Sequence, residues 1–200
     1  MERKSQLNSL IKIALLGAVA GVLMLIEAPL AIFPEFLKID ISDLPAVIGA
    51  IVMGPIAGAL VELVKVLLNF ILNGTITGGI GELANLLIGI ALVVPIGLIH
   101  KKNPTVKGAV IGGLLGTLCM AIMGGAMNYF VMLPLYGSMF YMDFVEIGQA
   151  LPFFGQFINS LFDFVLYSIV PFNLLKGILV TVVTGLVYKL VVPPLMRIQN

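Results

Sequence analysis

The sequence predicts an all-α integral membrane protein with six transmembrane helices. Of its 200 residues, 60% are hydrophobic and only 10% are charged, and the mean hydropathy is +1.15. Soluble domains carry about 25% charged residues. Residues 13–26 and 86–99 are continuously apolar, whereas the strands of a membrane β-barrel alternate apolar and polar residues. Because one helical crossing takes about 20 apolar residues, we expect a single membrane domain, residues 1–200, with no soluble domain.

The first three predicted spans cover residues of about 9–30, 44–53 and 55–72. A loop precedes the second span, and Ser42 or Asp43 can cap that helix. The apolar stretch that follows is too long for one comfortable crossing, and Gly54-Pro55 interrupts it. Because proline breaks helices, we predict a tight turn there, with one kinked helix as the alternative.

The last three predicted spans cover residues of about 81–99, 108–133 and 171–192. A glycine-rich turn precedes the fourth span, and a polar loop of residues 100–107 separates the fourth from the fifth. Residues 151–169 are apolar but contain Gln156, Asn159 and Asp163. We interpret this segment as a helix that lies in the outer leaflet or caps the bundle.

The positive charges predict the orientation, because cytoplasmic loops carry an excess of lysine and arginine. With six spans, all three basic clusters fall on one side: Arg3, Lys4 and Lys12; Lys101, Lys102 and Lys107; Lys189 and Arg197. We therefore expect a multi-pass protein of the plasma membrane with both termini in the cytoplasm and membrane lipid around it.

One pair of opposite charges lies near the middle of the third predicted span. Glu62 and Lys65 are three residues apart and therefore share a helix face. An internal ion pair that neutralises two costly charges is one interpretation, and a proton or substrate relay is the other. Charged side chains within membrane helices usually face a partner or a cavity.

Three polar residues are predicted to line a pocket that opens outward. Asn128 lies near the outer end of span five, and Asn173 and Lys176 lie on one face at the start of span six. Snorkelling towards lipid headgroups is the alternative for Lys176. Amides donate and accept hydrogen bonds, and lysine donates. Such a set suits a neutral, polyhydroxylated or imide-like ligand better than a metal ion.

Small residues on the first span predict a close helix contact. Ala14 and Ala18 are four residues apart, as are Gly17 and Gly21, and such spacings let membrane helices approach closely. Internal packing and contact with a partner subunit are both compatible with this pattern.

Several functions lack the residues that they need. There is no G-x-x-x-x-G-K-[ST] motif, so the chain has no P-loop for ATP. One histidine and one cysteine cannot make a His/Cys metal site, and a net charge of +1 gives no nucleic-acid signal. We therefore predict that the chain is not an enzyme and holds neither a cofactor nor a metal.

Five motifs resemble the S components, the substrate-binding subunits, of energy-coupling factor vitamin transporters. Three are typical of the whole family: FLKIDISDLP at 36–45, GPIAG at 54–58 and GELAN at 81–85. NYFVMLPLYG at 128–137 and PFNLLKG at 171–177 are more narrowly similar to the riboflavin-specific members. The resemblance covers almost the whole chain, although residues 149–169 match no family motif in detail.

The resemblance implies a six-helix subunit that holds riboflavin near the extracellular face and works with a transmembrane coupling protein and two ATPases. It implies that Asn128, Asn173 and Lys176 hydrogen-bond riboflavin, which is bound as substrate rather than as cofactor. The remaining implied contacts are Asn85 in the pocket, the loop of Lys38, Ile39 and Asp40 over the ligand, and the Ala14/Ala18 face on the coupling protein.

Two other classes of function stay open at this point. A standalone secondary transporter needs a continuous polar path, for which Glu62 and Lys65 are the candidate residues. A membrane scaffold protein needs no small-molecule ligand. Uptake without any ATPase would identify the first, and the absence of ligand after purification would identify the second.

Overall fold

The structure, a computed structural model, is almost entirely helical. It describes residues 2–197, with side chains for residues 6–196. The helices are α1 (Glu2–Met24), α2 (Asp43–Met53), α3 (Pro55–Asn73), α4 (Ile80–Lys102), α5 (Val106–Met127), α6 (Leu133–Phe140), α7 (Phe144–Gln149), α8 (Leu161–Phe164) and α9 (Val170–Arg197). Strands β1 (Ala28–Pro29) and β2 (Lys38–Ile39) pair antiparallel. The predicted all-α class is confirmed, and we call the end of the bundle with this strand pair the hairpin end.

Five helical stretches of the described residues are long and apolar enough to cross a membrane: Gln6–Met24, Pro55–Asn73, Ile80–Lys102, Val106–Phe140 and Leu161–Met196. Helix α2 is shorter, with 11 residues. At 1.5 Å per residue it measures about 17 Å, against a hydrocarbon thickness of about 30 Å. The sixth crossing therefore stays a prediction.

The predicted tight turn between the second and third helices is present. Gly54 has φ 99°, which lies in the region that glycine adopts without steric cost. Pro55 follows at the first position of α3, where its missing N–H costs nothing. The two helices then run back along each other, and Gly58 faces Ala50 so closely that a Cβ on Gly58 would lie 2.5 Å from that of Ala50.

Two of the long helices contain a π-helical turn. Residues Asn128–Met132 join α5 to α6, and residues Val165–Ile169 join α8 to α9. Single π-helical turns inside α-helices are frequent at functional sites. The last helix begins at Leu161, earlier than the predicted residue 171, because Ser160 caps its first turn by accepting a hydrogen bond from Asp163 N at 3.1 Å. Residues 161–169 therefore belong to the long last helix rather than to a separate capping helix.

Glycines allow α5 to pack closely between α4 and α9. A Cβ on Gly116 would overlap the carbonyl oxygen of Leu92 in α4, and a Cβ on Gly113 would meet Thr181 of α9. On the other side of the bundle, α3 packs against α1, α2 and α4. Small residues at such contacts are the usual means by which membrane helices approach each other.

The small residues of α1 point in two directions. Gly17 and Gly21 face α3, where added Cβ atoms would meet Val64 and Leu68. Ala14 and Ala18 lie on the exposed side of the same helix. The predicted pattern therefore combines an internal contact made by the glycines with an exposed alanine face.

An apolar cluster closes the hairpin end. Its buried residues are Leu133, Phe144, Ile158, Phe164, Val165 and Ile169. The segment before α8 consists of turns and a short 3₁₀ turn, Gly155–Phe157, rather than a helix in the outer leaflet. Ile158 anchors this segment, since its side chain is completely buried in the cluster.

A binding cavity at the hairpin end

A cavity of about 200 Å³ lies between the hairpin and the helix ends of α4, α5 and α9. Six of the seven predicted ligand-binding residues line it: Asn85, Asn128, Asn173, Lys176, Lys38 and Asp40. The seventh, Ile39, pairs with Ala28 in the hairpin and is not among the lining residues, so its contact with a ligand stays a prediction. Among these six, Lys38 and Lys176 are 138 positions apart in the sequence and still line the same cavity.

Two buried carboxamides face the cavity from neighbouring helices. Asn128 donates its Nδ2 to Gly124 O at 2.8 Å, and Asn173 donates its Nδ2 to Ile169 O at 2.9 Å. Each amide has two N–H groups and one oxygen. Both side chains can therefore offer an acceptor oxygen and a second donor to a ligand while the first N–H holds the group in place.

Gly124 makes room for one of these carboxamides. A Cβ at this position would lie 2.6 Å from Asn173 Nδ2, which is far inside van der Waals contact. Gly124 therefore fixes where α9 can place Asn173, and its carbonyl oxygen orients Asn128 as well.

Lys176 points into the protein and is held by two carboxylates. Its Nζ lies 2.9 Å from Asp40 Oδ2 and 3.2 Å from Asp43 Oδ2. The lysine is only 6% exposed, so snorkelling towards lipid headgroups does not describe it. An ammonium group held in this way offers its remaining hydrogen to an acceptor within the cavity.

The ion pair predicted within α3 is present, and it has a third member. Lys65 Nζ lies 2.6 Å from Glu62 Oε2 and 2.5 Å from Asp43 Oδ1. Asp43 was predicted as a possible helix cap. Ser42 is instead the N-cap residue, without a side-chain cap hydrogen bond, and the Asp43 carboxylate is turned inward between the two lysines.

The hairpin is attached to the end of α1 beside the cavity. Lys38 Nζ contacts Glu27 Oε1 at 2.5 Å, and both residues line the cavity. Asp40 accepts a hydrogen bond from Ser42 N at 2.7 Å, which directs its other oxygen towards Lys176. The loop that carries Lys38 and Asp40 thus covers one side of the cavity.

Aromatic and apolar side chains form the rest of the wall. Phe36 packs edge-on against Tyr136, with ring centroids 6.2 Å apart, and Phe172 packs edge-on against Phe33 at 5.4 Å. Phe36, Tyr136 and Phe172 line the cavity together with Met24, Ile88, Met120 and Met132. Apart from the polar groups described above, the wall of the cavity is therefore apolar and aromatic.

Sequence reasoning missed five polar or aromatic residues of this wall: Glu27, Asp43, Phe36, Tyr136 and Phe172. Phe36, Asp43, Tyr136 and Phe172 belong to quoted motifs, and Glu27 stands alone after an apolar run. Within the described chain, no group of three or more His, Cys, Asp or Glu side chains is arranged to hold a metal ion.

The fold and the cavity define a class of protein. A multi-pass helical bundle with a polar-lined cavity at one end is a membrane protein that binds a small molecule. The family described as "ECF transporter, substrate-specific component" matches residues 8–188, and the chain belongs to that family.

Two relatives are riboflavin transporters by name. The chain is 34% identical to "Riboflavin transporter FmnP" of Bacillus subtilis (strain 168), over 92% of this chain and 91% of the relative. It is also 34% identical to "Riboflavin transporter RibU" of Staphylococcus aureus (strain TCH60), over 92% of this chain and 90% of the relative. Both names are those of transporters, in agreement with the prediction that the chain is not an enzyme.

A solved structure shares the fold. It is described as "Structure and mechanism of the S component of a bacterial ECF transporter". The TM-score is 0.71 at 33% sequence identity, and the alignment covers 92% of this chain and 95% of the other. The resemblance drawn from the sequence motifs is therefore confirmed at the level of the family.

Proposed function

We propose that this chain captures riboflavin in the cavity at the hairpin end, as the substrate-binding subunit of an ATP-driven vitamin transporter. The observation that carries the proposal is the convergence of Asn128, Asn173 and Lys176 on one cavity. The names of the relatives FmnP and RibU support the choice of riboflavin.

The chemistry of riboflavin fits this cavity in two parts. Its isoalloxazine ring has an apolar dimethylbenzene end, which suits the wall of Phe36, Phe172 and the methionines. Its imide-like end and the ribityl hydroxyls need donors and acceptors, which the two carboxamides and Lys176 supply. A mostly apolar pocket with a few placed polar groups is the usual design of small-molecule sites.

We propose further that the hairpin end is extracellular and that both termini are cytoplasmic. Lys101 and Lys102 end α4, and Lys107 begins α5, at the end opposite to the hairpin. Lys12 and Lys189 lie towards that same end. The side chains of Arg3, Lys4 and Arg197, which also entered the prediction, lie outside the described ones. The cavity would then receive the vitamin from outside the cell.

Energy for uptake would come from other chains, a transmembrane coupling protein and two ATPases. The exposed alanine face of α1, with Ala14 and Ala18, is the proposed contact with the coupling protein. Gly17 and Gly21 lie on another side of α1, where their packing on Val64 and Leu68 brings α1 close to α3.

The apolar interior favours this subunit over a standalone channel or secondary transporter. Glu62 and Lys65 are joined to the cavity through Asp43 and Lys176, and among the described residues this row of ion pairs ends at Glu62. Towards the opposite end, the core around them is filled by buried Val47, Leu92 and Ile96. A continuous polar path is the feature that a standalone transporter would need.

The test is a riboflavin titration with the purified protein. The chain has no tryptophan, so the quenching of the flavin's own fluorescence reports binding. We expect Asn173→Ala and Lys176→Ala each to weaken binding by roughly tenfold to a hundredfold, because a buried ligand atom loses its partner. Lys189→Ala, exposed at the far end of α9, is the control and should bind as wild type does. Unchanged affinity in both cavity variants would contradict the assignment.

A further inference from the structure

The cavity is continuous with a row of five buried charges that reaches into α3. In order from the cavity, the row consists of Asp40, Lys176, Asp43, Lys65 and Glu62, each joined to the next by an ion pair of 2.5–3.2 Å. Lys65 and Glu62 are completely buried and do not line the cavity. Burial of five charges is costly even when they are paired, so a structural role alone is a weak reason for them.

Lys65 and Lys176 share one carboxylate. Lys65 contacts Asp43 Oδ1 at 2.5 Å, whereas Lys176 lies 3.2 Å from Asp43 Oδ2 and 2.9 Å from Asp40 Oδ2. The closer contact belongs to Lys65, which leaves Lys176 nearer to Asp40. Asp40 belongs to the loop over the cavity. Because the two lysines contact different oxygens of Asp43, the Lys176 ammonium lies on the side of Asp43 that faces this loop.

We propose that Lys65 is a positioning residue for ligand binding, which acts on the cavity through Asp43 and Lys176. By engaging Asp43, Lys65 keeps Lys176 from moving deeper into the bundle and holds its ammonium at the cavity wall. Glu62 balances the charge of Lys65, and its carboxylate fits against Gly89, where a Cβ would overlap it. The inference rests on the proposed function, because it assigns these residues a part in binding the same ligand.

The row contains three carboxylates and two ammonium groups, which decides the choice of variant. Replacing Lys65 alone would leave buried Glu62 without its counter-charge and Asp43 with Lys176 as its remaining ion-pair partner, and removing one member of a buried ion pair is strongly destabilising. The double variant Glu62→Gln/Lys65→Met removes one charge of each sign. It preserves the net charge of the row and removes the contact between Lys65 and Asp43.

The experiment is a double-mutant cycle on riboflavin affinity. We expect Glu62→Gln/Lys65→Met to weaken binding roughly tenfold in the wild-type background. In an Asp40→Asn/Lys176→Met background, which likewise removes one charge of each sign, the same pair of substitutions should change affinity by less than about twofold, because the group that it positions is gone. A general loosening of the bundle would instead weaken binding equally in both backgrounds, and that result would overturn the proposal.

Thr184→Val serves as the matched control. Thr184 is a buried polar residue of α9 whose hydroxyl donates to Val180 O of the same helix at 2.7 Å. It lies outside the cavity, so its removal should leave riboflavin affinity unchanged. If wild type binds no flavin at all, the proposed function fails. If wild type binds and the folded double variant binds equally well, only the positioning role fails.

A structure of the unmodified protein with riboflavin bound tests the same point should a variant not fold. We expect the Lys65–Asp43 contact to persist, with the Lys176 ammonium within hydrogen-bond distance of the flavin. A bound state in which Lys176 has left the cavity wall, or in which Asp43 no longer contacts Lys65, would overturn the proposal.

Discussion

Gly124→Ala separates the stability of the bundle from its ability to bind a ligand. The added Cβ would stand 2.6 Å from Asn173 Nδ2. That atom is the end of a side chain rather than backbone, so Asn173 can turn away at little cost to the fold. Alanine is also a better helix former than glycine, by roughly 0.5–1 kcal/mol in a helix interior. We therefore expect the variant to fold with unchanged or slightly higher thermal stability.

Binding should respond in the opposite direction. A displaced Asn173 leaves a buried polar atom of the ligand without its partner, at a cost of about 1–3 kcal/mol, which is roughly a fivefold to 150-fold loss of affinity. Flavin fluorescence titration and thermal unfolding of the same sample measure the two effects. Gly185→Ala is the matched control, since its Cβ would meet Val110 Cγ2 at an ordinary 3.5 Å. If Gly124→Ala binds riboflavin as wild type does, Asn173 is not a ligand contact.

Three further predictions concern assembly, energy coupling and orientation. Ala14→Leu/Ala18→Leu should weaken co-purification with the coupling protein while riboflavin affinity is retained, because leucine prevents close helix approach; lost affinity with intact assembly would contradict this. Vesicles that hold only this chain should show no concentrative riboflavin uptake upon addition of ATP, and accumulation there would refute the subunit proposal. With Cys119 replaced, an impermeant thiol reagent on intact cells should label Ser138→Cys and spare Lys102→Cys, and the reverse pattern would invert the orientation.

The helices followed from local signals in the sequence. Gly54-Pro55 marked the turn between α2 and α3 because a positive φ and a helix start both have residue preferences that neighbours hardly alter. The end of the fifth span was harder to predict: the predicted span ends at about residue 133, whereas the helical stretch continues to Phe140 through a π-helical turn. Pro134 lies in the first turn of α6, directly after the π-helical turn, where its missing N–H disturbs few backbone hydrogen bonds. Rules based on neighbouring residues alone do not predict such a π-helical turn.

The cavity was partly predictable, as was the Glu62–Lys65 pair, but the ion pairs between residues that line the cavity were not. Asn128, Asn173 and Lys176 were found because polar groups inside apolar helices require a reason. The pairing of Lys176 with Asp40 joins residues 136 positions apart, and no spacing rule connects them. Asp43 illustrates the same limit, since an acid at the start of a helix satisfies the capping preference whether or not it also faces a buried lysine.

The absorption spectrum of the purified, unmodified protein tests the central claim most directly. The account predicts that protein from riboflavin-fed cells, or protein incubated with riboflavin and freed of excess, shows the visible absorption bands of a flavin at close to one molecule per chain. Mass spectrometry of the released compound should identify it as riboflavin. A folded protein that retains no flavin and quenches none on titration would contradict the claim.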